Sequence, residues 1–333
     1  MKKLFLIMLG AMLTLPAAAR DFTYAYEGQT LAYTVIDEDA KTCMTKQGDY
    51  VNPGNAVEGE LTIPAIAKDG DIEYSVTAVG FSSFRHCTGV TSVLLPQSVS
   101  SIGDEAFIGC SNLTSIDIPS TVSKIGDSVF EECISLESAT IPNSVTSIGI
   151  AAFRSSGLKA IEIPNSVTII CDNAFDGCYG LTQVTIPGSV TTLGFGAFMW
   201  CRNMVSVVIP GSLTEIYLSV FLGCSALQEV YYGAATPIEG SNNIFNDSVY
   251  DNATLFVPEE AVEKCKDIDP WKSFAKIKAY DFPDGIADAL VDTNKPCELF
   301  SLSGAKVDNS ADGLAPGVYI ACQGNAVKKI AIR

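Results

Sequence analysis

The chain has 333 residues, of which 47% are hydrophobic, and a formal net charge of −17. This acidity argues against a nucleic-acid or anionic-lipid partner, because both of these carry negative charge themselves. We interpret the acidity as a contribution to solubility rather than as calcium binding. No D-x-D-x-D-G loop is present, and "DEDA" at 37–40 is only a charged turn.

Residues 1–19 are predicted to be a secretory signal peptide. They contain a basic start, an apolar run from Leu4 to Leu15 and a small-residue cleavage site at 17–19. The run is too short for a membrane span, and no later stretch is long enough either; an uncleaved N-terminal anchor is the alternative. We therefore expect an exported protein, at the cell surface or secreted, with no membrane insertion after the signal is removed.

Residues 20–80 are predicted to form a β-rich N-terminal cap with an irregular first repeat. The stretch "FTYAYEGQTLAYTVI" alternates like a pair of strands. The stretch "GELTIPAIAKDGDIEYSVTAVG" reads as one unit of the repeats that follow, with a hairpin inserted after Pro64 and its turn at "KDGD". A stack of repeats needs such a cap, because an open end exposes apolar side chains and unpaired strand edges.

Residues 81–232 consist of internal repeats of 22–23 residues. One phenylalanine marks their register, at Phe84, Phe107, Phe130, Phe153, Phe175, Phe198, Phe221 and Phe245. A proline follows the same period, at Pro96, Pro119, Pro142, Pro164, Pro187 and Pro210. A cysteine stands three residues after most of the phenylalanines, at Cys87, Cys110, Cys133, Cys178, Cys201 and Cys224, with Ser156 and Ser248 in the other two repeats. This fixed period predicts a solenoid, in which each unit buries its apolar side against its neighbours.

Each repeat is predicted to contain one short strand in the segment L-x-x-I-x-I-P. In one copy Ile116 and Ile118 are two residues apart, so both face inward, and the following proline ends the strand. The segment S-V-T-x-I-G comes next, and its glycine is expected to permit a sharp turn, at Gly103, Gly126, Gly149 and Gly194. An aspartate then stands where it would cap one helical turn, at Asp104, Asp127 and Asp172.

The phenylalanine and cysteine columns are expected to line the interior of the solenoid. We interpret the six repeat cysteines as buried free thiols that pack as small hydrophobic residues, although neighbouring repeats would bring them near disulfide distance. Eleven cysteines in an exported chain leave some disulfides open, with Cys297 and Cys322 as the candidate pair. No C-x-x-C motif is present, so a zinc site is not expected.

The repeat "IGDEAFIGCSNLTSIDIPSTVSKIG" resembles the BspA-like bacterial leucine-rich repeats, and the resemblance covers about residues 75–282. It implies a leucine-rich-repeat stack of the horseshoe type, made of short parallel strands and helical turns. It also implies a surface protein that adheres to host or matrix proteins. The sequence departs from the pattern at Ser156, in the shortened loop "RSSGL" and in "NNIFNDSVYDNATLFVP".

Residues 233–282 are predicted to be an atypical last repeat and a closing cap, in which a short helix begins at Pro258 and Trp271 and Phe274 cover the last repeat. Residues 283–333 are predicted to be a small β-module, whose strands are "CELFSLSG", "GVYIAC" and "AVKKIAIR". This tail resembles a shortened type IX secretion sorting-type β-domain. The alternative is a β-module packed on the closing cap. The resemblance is carried by Gly304, Leu314, Pro316, Gly317, Val318, Tyr319 and the closing "KKIAIR".

The sequence predicts no enzyme, no cofactor and no metal site. A Ser-His-Asp arrangement would have to use His86, the single histidine, which we interpret as a surface residue of the loop "FRHCTG". Neither a G-x-S-x-G elbow nor a glycine-rich phosphate loop is present. Glu131 and Glu132 are an acidic pair on one turn rather than two carboxylates that face each other across a cleft.

The predicted binding site is the outer surface of the strands, where side chains that point away from the core form two columns. The candidate contact residues are Asp117, Thr140, Glu162, Gln183, Thr185, Glu229 and Tyr231. We expect them to bind an extracellular or host surface protein and expect the chain to be a monomer. Three alternatives are a glycan site with Tyr231, Tyr232 and Trp200 as stacking rings, a purely structural surface-layer protein, and a solvated sheet without a ligand.

Overall fold

The computed structural model describes residues 20–48, 57–240, 243–280 and 282, and in the C-terminal part the strand residues 298–301, 306–307, 317–323 and 326–332. The predicted signal peptide lies outside these residues, and so does Cys297 of the predicted pair Cys297 and Cys322.

The N-terminal cap is a mixed sheet. Its region contains the strands Asp21–Tyr26 (β1), Gln29–Asp37 (β2), Thr42–Thr45 (β3), Gly59–Thr62 (β4), Ile66–Asp69 (β5) and Ile72–Val79 (β6). Within the sheet the strand order is β1-β2-β3-β6-β5, whereas β4 joins the repeats. The predicted strand pair is confirmed by the antiparallel β1 and β2, and the predicted hairpin is confirmed by the antiparallel β5 and β6.

The repeats stack their strands in parallel and in register. The strands are Val90–Leu94 (β7), Ser101–Ile102 (β8), Ser115–Asp117 (β9), Ser138–Thr140 (β10), Ser147–Ile148 (β11), Ile169–Ile170 (β12), Gln183–Thr185 (β13), Thr192–Leu193 (β14), Ser206–Ile209 (β15), Glu215–Ile216 (β16), Glu229–Tyr232 (β17), Thr254–Val257 (β18) and Lys276–Ala279 (β19). The main strands form one sheet of order β10-β9-β7-β4 and another of order β13-β15-β17-β18-β19. The predicted solenoid of stacked parallel strands is therefore confirmed.

The number of strands per repeat differs from the prediction in two ways. A second, two-residue strand follows the proline in several repeats, and β11, β12, β14 and β16 form a sheet of their own. In contrast, residues 158–163 form no strand, so the main column is interrupted between β10 and β13. That repeat has one residue fewer between Ser156 and Leu158 than its neighbours have at the same place. The expectation of one strand in every repeat is therefore wrong.

Between residues 81 and 232, all of which the structure describes, the turn side of the solenoid has hydrogen-bonded turns but no helix, so the expected helical turn in each of these repeats is wrong. Instead, backbone N–H groups donate to carbonyl groups of the next repeat. Phe107 N lies 3.0 Å from Val129 O, and Phe130 N lies 2.8 Å from Ala152 O. Because these bonds satisfy the turn backbone between repeats, no helix is needed to do so.

The aspartates of the turns connect repeats and do not cap helices. Asp104 Oδ1 accepts a bond of 2.8 Å from Asp127 N, and Asp127 Oδ1 accepts one of 2.7 Å from Ile150 N. The glycines before them have a steric role. A Cβ on Gly126 would lie 2.3 Å from Asp104 Oδ1, so glycine permits the close approach of two repeats. The left-handed residues lie two positions later, as at Glu105.

The phenylalanine column is the centre of the core. From Phe84 to Phe245, consecutive rings stack with centroids 5.0–5.8 Å apart and planes within 20° of parallel. Phe107, Phe130 and Phe198 are fully buried, which confirms the prediction for the interior. Offset stacking of this kind adds to the free energy gained from burial alone.

The cysteine column lies beside the phenylalanines, and its thiols are free and buried. Each thiol from Cys110 onward in this column donates to the carbonyl of the phenylalanine in the preceding repeat. Cys133 Sγ lies 3.2 Å from Phe107 O, and Cys178 Sγ lies 3.1 Å from Phe153 O. Ser156 is buried at the position that cysteine takes in the other repeats. Ser248 is exposed on a helix, so the assignment of Ser248 to this column is wrong.

The closing cap contains two short helices, Asp247–Asn252 (α1) and Val262–Cys265 (α2), and the 3-10 turns Glu259–Ala261 and Trp271–Ser273. Trp271 is fully buried and stacks on Tyr232, with centroids 4.0 Å apart. With Phe274 also buried, this confirms the predicted cover of the last repeat.

Among the described residues of the C-terminal module, four strands form an antiparallel sheet, whereas three strands were predicted. The strands are Glu298–Ser301 (β20), Lys306–Val307 (β21), Gly317–Gln323 (β22) and Ala326–Ile332 (β23), in the order β21-β20-β22-β23.

Candidate ligand-binding face

We define the strand face as the outward side chains of β7, β9, β10, β13, β15 and β17 together with Glu162. The alternation of inward and outward side chains along each strand determines which residues belong to it. In β9, Ser115 and Asp117 are exposed, whereas Ile116 between them is buried. β13 has the same pattern, with Gln183 and Thr185 exposed around a buried Val184. The alternation therefore separates the side chains that a ligand can reach from those that hold the core together.

The in-register pairing brings the candidate residues into two groups. Thr140 is the direct neighbour of Asp117 in the first sheet. In the second sheet, one row runs from Gln183 through Ser206 to Glu229, and the next row runs from Thr185 through Val208 to Tyr231. Six of the seven predicted residues thus lie on strands, two in one sheet and four in the other.

Glu162 does not belong to either sheet. It is exposed, but it lies in the segment 158–163, which forms no strand. Its expected position within a continuous column is therefore wrong, because the missing residue between Ser156 and Leu158 lies directly before this segment. The interruption divides the strand face into an N-terminal part and a C-terminal part.

Tyr231 is half-buried in an aromatic cluster that the sequence did not reveal. Its ring stacks on Phe256 with centroids 4.7 Å apart and meets Tyr280 edge-on at 5.0 Å. Phe282 extends the cluster from Tyr280, at 4.9 Å. Phe256, Tyr280 and Phe282 come from two segments outside the regular repeat, so periodicity gave no signal for them. The segment "TLFVP" pairs with β17 and places Phe256 beside Tyr231. This pairing is the one feature that could have indicated the cluster from the sequence.

The hydroxyl of Tyr231 donates to Glu229 at 3.0 Å. Burial, together with the neighbouring Glu229 carboxylate, raises the pKa of Tyr231 to about 12. The phenol therefore stays protonated at neutral pH and fixes the Glu229 carboxylate at the C-terminal part of the strand face.

Two residues of the alternative glycan site are not on the strand face. Tyr232 is fully buried beneath Trp271. Trp200 is exposed, but it belongs to a turn between repeats, where its backbone is left-handed with φ of 58°. The proposed trio of stacking rings is therefore wrong, although Tyr231 remains accessible in part.

The polar groups of the turns are used for packing. His86 is half-buried, and its own backbone is left-handed. A Cβ on Gly109 would lie 2.1 Å from His86 Nδ1. The imidazole thus occupies the space that the glycine of the next repeat leaves open. Among the described residues, no three His, Cys, Asp or Glu side chains come together in a group that could hold a metal ion. None of the helices in the described part of the chain has the length and apolar character to span a bilayer.

Comparison with solved structures finds bacterial leucine-rich-repeat proteins. A protein from Bacteroides ovatus is 23% identical, with 76% of this chain and 81% of that chain covered and a TM-score of 0.39. A protein from T. pallidum is 23% identical, with 74% and 95% covered and a TM-score of 0.44. A leucine rich cell surface protein from Faecalibacterium prausnitzii is 20% identical, with 81% and 99% covered and a TM-score of 0.28. No curated protein matches the chain.

A family model for the BspA type leucine rich repeat region matches residues 67–181 and 146–268, in six copies. The matched residues are more than half of the chain, and they include the repeats whose phenylalanine and cysteine columns form the core. A non-catalytic role in binding is consistent with such a family. The chain belongs to the BspA-type leucine-rich-repeat family.

Proposed function

We propose that the protein is an exported, non-catalytic binding protein that recognises a host or matrix protein through its strand face. The observation that carries the proposal is the separation of exposed from buried side chains along each strand, as at Asp117 beside the buried Ile116. Outward residues can vary to suit a partner without disturbing the core. Membership of the family supports a surface role, and the predicted signal peptide at 1–19 supports export.

The energetics of the strand face favour a weak to moderate interaction. A stacked sheet is already ordered, so a partner binds without an entropic cost for ordering the protein side. Serine and threonine are the most frequent outward side chains, and they rarely dominate binding energies. The C-terminal part, with Glu229 and Tyr231, offers the larger contacts, and we expect most of the affinity there.

The test uses a variant with four exposed residues replaced together: Asp117→Ala, Gln183→Ala, Thr185→Ala and Glu229→Ala. Its melting temperature should change little, because exposed substitutions away from the core usually alter stability by about 0.5 kcal/mol or less each. Its binding to an array of purified matrix and host surface proteins should be weaker than that of the parent chain 20–333. A matched control replaces the exposed Asn143 and Asn165, which lie on the turns after the prolines.

Equal binding by the parent and the four-residue variant to every captured protein would exclude the strand face as the site. We also propose that the protein acts as a monomer, which light scattering of the purified chain would test.

A second candidate function is the binding of a glycan at the aromatic cluster of Tyr231, Phe256, Tyr280 and Phe282. The observation that favours it is the set of partly exposed rings on one end of the strand face, since sugars stack on aromatic faces. A glycan array would show binding that is lost in Tyr231→Ala and kept in the four-residue variant. Absence of any such glycan would leave the protein partner as the better proposal.

We further propose that residues 283–333 are a sorting-type module of the kind used in type IX secretion. The antiparallel sheet β20–β23 supports a compact β-module at the C-terminus. Deletion of residues 283–333 should leave the repeats folded and should abolish display on the cell surface, as measured with an antibody against the repeats. Unchanged display would argue for a purely structural role of the sheet.

A further inference from the structure

The turns between repeats carry a surface patch that is separate from the strand face, formed by Tyr179, Trp200 and Arg202. The Arg202 guanidinium carbon lies 5.4 Å from the Tyr179 ring centroid and 5.2 Å from the Trp200 centroid. Both distances are within the range of cation–π attraction. Tyr179 is 50% exposed, Trp200 is 41% exposed, and Arg202 is exposed too.

Arg202 differs from the other two arginines of the repeats. Arg85 forms an ion pair with Glu105, and Arg154 lies 3.3 Å from both Glu131 and Asp176. No carboxylate of the described residues lies within ion-pair distance of Arg202, even though the whole chain carries a net charge of −17. The positive charge of Arg202 is thus held by two aromatic rings and is not neutralised by a neighbouring acid.

This arrangement leaves the binding edge of the guanidinium available. Stacking uses the faces of the planar group, whereas its N–H donors point outward in the plane. Two parallel N–H groups match the two oxygens of a carboxylate. The rings beside it provide apolar contact for whatever group stands next to that carboxylate.

Trp200 is placed in this patch at a conformational cost. Its φ is 58°, a left-handed value that a bulky residue rarely adopts. The equivalent positions of the neighbouring repeats are Gly177 and Gly223, which adopt this conformation without strain. A Cβ on Gly223 would lie 2.4 Å from Trp200 Cε3, so the indole rests directly on that glycine. The large ring is therefore fixed before any partner arrives.

We propose that this patch is a second binding site, for a protein segment that presents an aspartate or glutamate side chain next to an apolar one. Tryptophan, tyrosine and arginine are the residues that most often dominate the affinity of protein interfaces. The rings lie open on the outside of a turn, which suits a protein surface, whereas small ligands are usually enclosed by their site. The proposal does not rest on the strand face.

The experiment selects binders for the chain 20–333 from a displayed library of random twelve-residue peptides. We expect selected peptides to be enriched in Asp or Glu beside aliphatic or aromatic residues. Arg202→Gln should weaken their binding about tenfold or more, since a charge-assisted pair at a hot spot is lost. Arg202→Lys should restore it only in part, because an ammonium cannot form the fork.

Two further variants separate binding from folding. Trp200→Gly relieves the left-handed strain, so it should abolish peptide binding while leaving the melting temperature unchanged or higher. Tyr217→Ala is the matched control, because Tyr217 is also 50% exposed but is not part of the patch. It should bind the selected peptides as the parent does, and so should the four-residue variant of the strand face.

Several outcomes would overturn the proposal. They are selection of no peptide, selection of peptides without acidic residues, and peptide binding that is unaffected by Arg202→Gln and Trp200→Gly. A glycan array in which the patch binds acidic sugars, while no acidic peptide is bound, would assign the patch to a glycan and would likewise refute it.

Discussion

At the short repeat, the turn side and the strand side of the solenoid behave differently. The ring column on the turn side continues without a break, because Phe153 and Phe175 stack with centroids 5.4 Å apart and planes within 1° of parallel. The turn ladder also continues, since Phe153 N donates to Ala174 O at 2.8 Å. On the strand side, residues 158–163 form no strand, and the column divides into two sheets.

The difference follows from what each side needs in order to stack. A ring contact needs one residue per repeat at the correct height, and the turn bonds join only a few atoms of adjacent repeats. A parallel ladder needs several consecutive residues in one register. The missing residue lies after Ser156 and before Leu158. The turn therefore keeps its full length, and the segment that leads into the strand is one residue shorter.

The largest expected effect is a difference in thiol labelling rate between a cysteine of the interior and a cysteine of the strand face. Burial raises the pKa of the Cys133 thiol to about 12, and the side chain is fully buried. At pH 8 the thiol therefore stays protonated and shielded, and we expect labelling by a thiol reagent to require unfolding, about a thousandfold slower than for an exposed thiol. A strand-face variant, Thr140→Cys, should react at once. A disulfide between cysteines of neighbouring repeats, found by non-reducing peptide mapping, would contradict this prediction.

The second prediction tests whether the turn side is continuous through the short repeat. Phe130→Ala should lower the free energy of unfolding by about 3–5 kcal/mol, the usual cost of truncating a buried phenylalanine. Phe153→Ala should cost the same within error, because its ring is equally buried and stacked on both sides. Urea denaturation measures both. A much smaller loss for Phe153 would mean that the short repeat weakens the turn side too.

The third prediction concerns a variant in which the missing strand should be restored. Insertion of one serine between Ser156 and Gly157 restores the 23-residue length of this repeat. We expect residues 159–163 to form a strand between β10 and β13 and to raise the free energy of unfolding by about 1 kcal/mol, the contribution of a few cross-strand pairs. Hydrogen exchange of the amides in β10 and β13 should slow. The same insertion between Cys133 and Ile134, in a repeat of normal length, is the control and should destabilise.

The fourth and smallest effect concerns a buried acid on the turn side. Burial raises the pKa of Asp176, although Arg154 opposes this, and its Oδ1 has no hydrogen-bond partner among the described residues. Because the folded state holds the proton more tightly than the unfolded chain, ionisation of Asp176 destabilises the fold. This destabilisation is fully present above the folded pKa and is absent below the unfolded pKa.

Asp176→Asn should therefore stabilise the protein more at pH 7 than at pH 3, as measured by urea denaturation at both values. Asp117→Asn on the strand face, where the carboxylate is exposed, is the control for the loss of one surface charge. The prediction fails if the Asp176 variant is equally or more strongly stabilised at pH 3.

The sequence predicted those parts of the fold that depend on side-chain period. Burial of Ile116 beside exposed Asp117, and burial of the eight periodic phenylalanines from Phe84 to Phe245, follow from the spacing alone. The two-residue strands and the bridging aspartates could not be predicted in this way. They depend on contacts between repeats, such as the bond from Asp127 N to Asp104 Oδ1, that leave the pattern within one repeat unchanged.

The candidate site was predicted only in outline. The strand alternation placed Asp117, Thr140, Gln183 and Thr185 correctly, but the loss of the strand at Glu162 arose from a deletion before it. The alternation of β17, with Val230 and Tyr232 buried around Tyr231, would have excluded Tyr232 as a stacking ring. The aromatic cluster depends on how irregular segments meet, and a repeat pattern carries no information about that.

The stack of Trp271 on Tyr232 gives the protein a built-in optical probe. The chain has two tryptophans, one fully buried in the closing cap and the other exposed on a turn. Trp271 should emit at shorter wavelength than Trp200, since its indole is shielded from water. Opening of the C-terminal end of the solenoid would then appear as a red shift of the first, while contact at the turn would quench or blue-shift the second. Two separate events in the same molecule could thus be followed by fluorescence without attaching a dye.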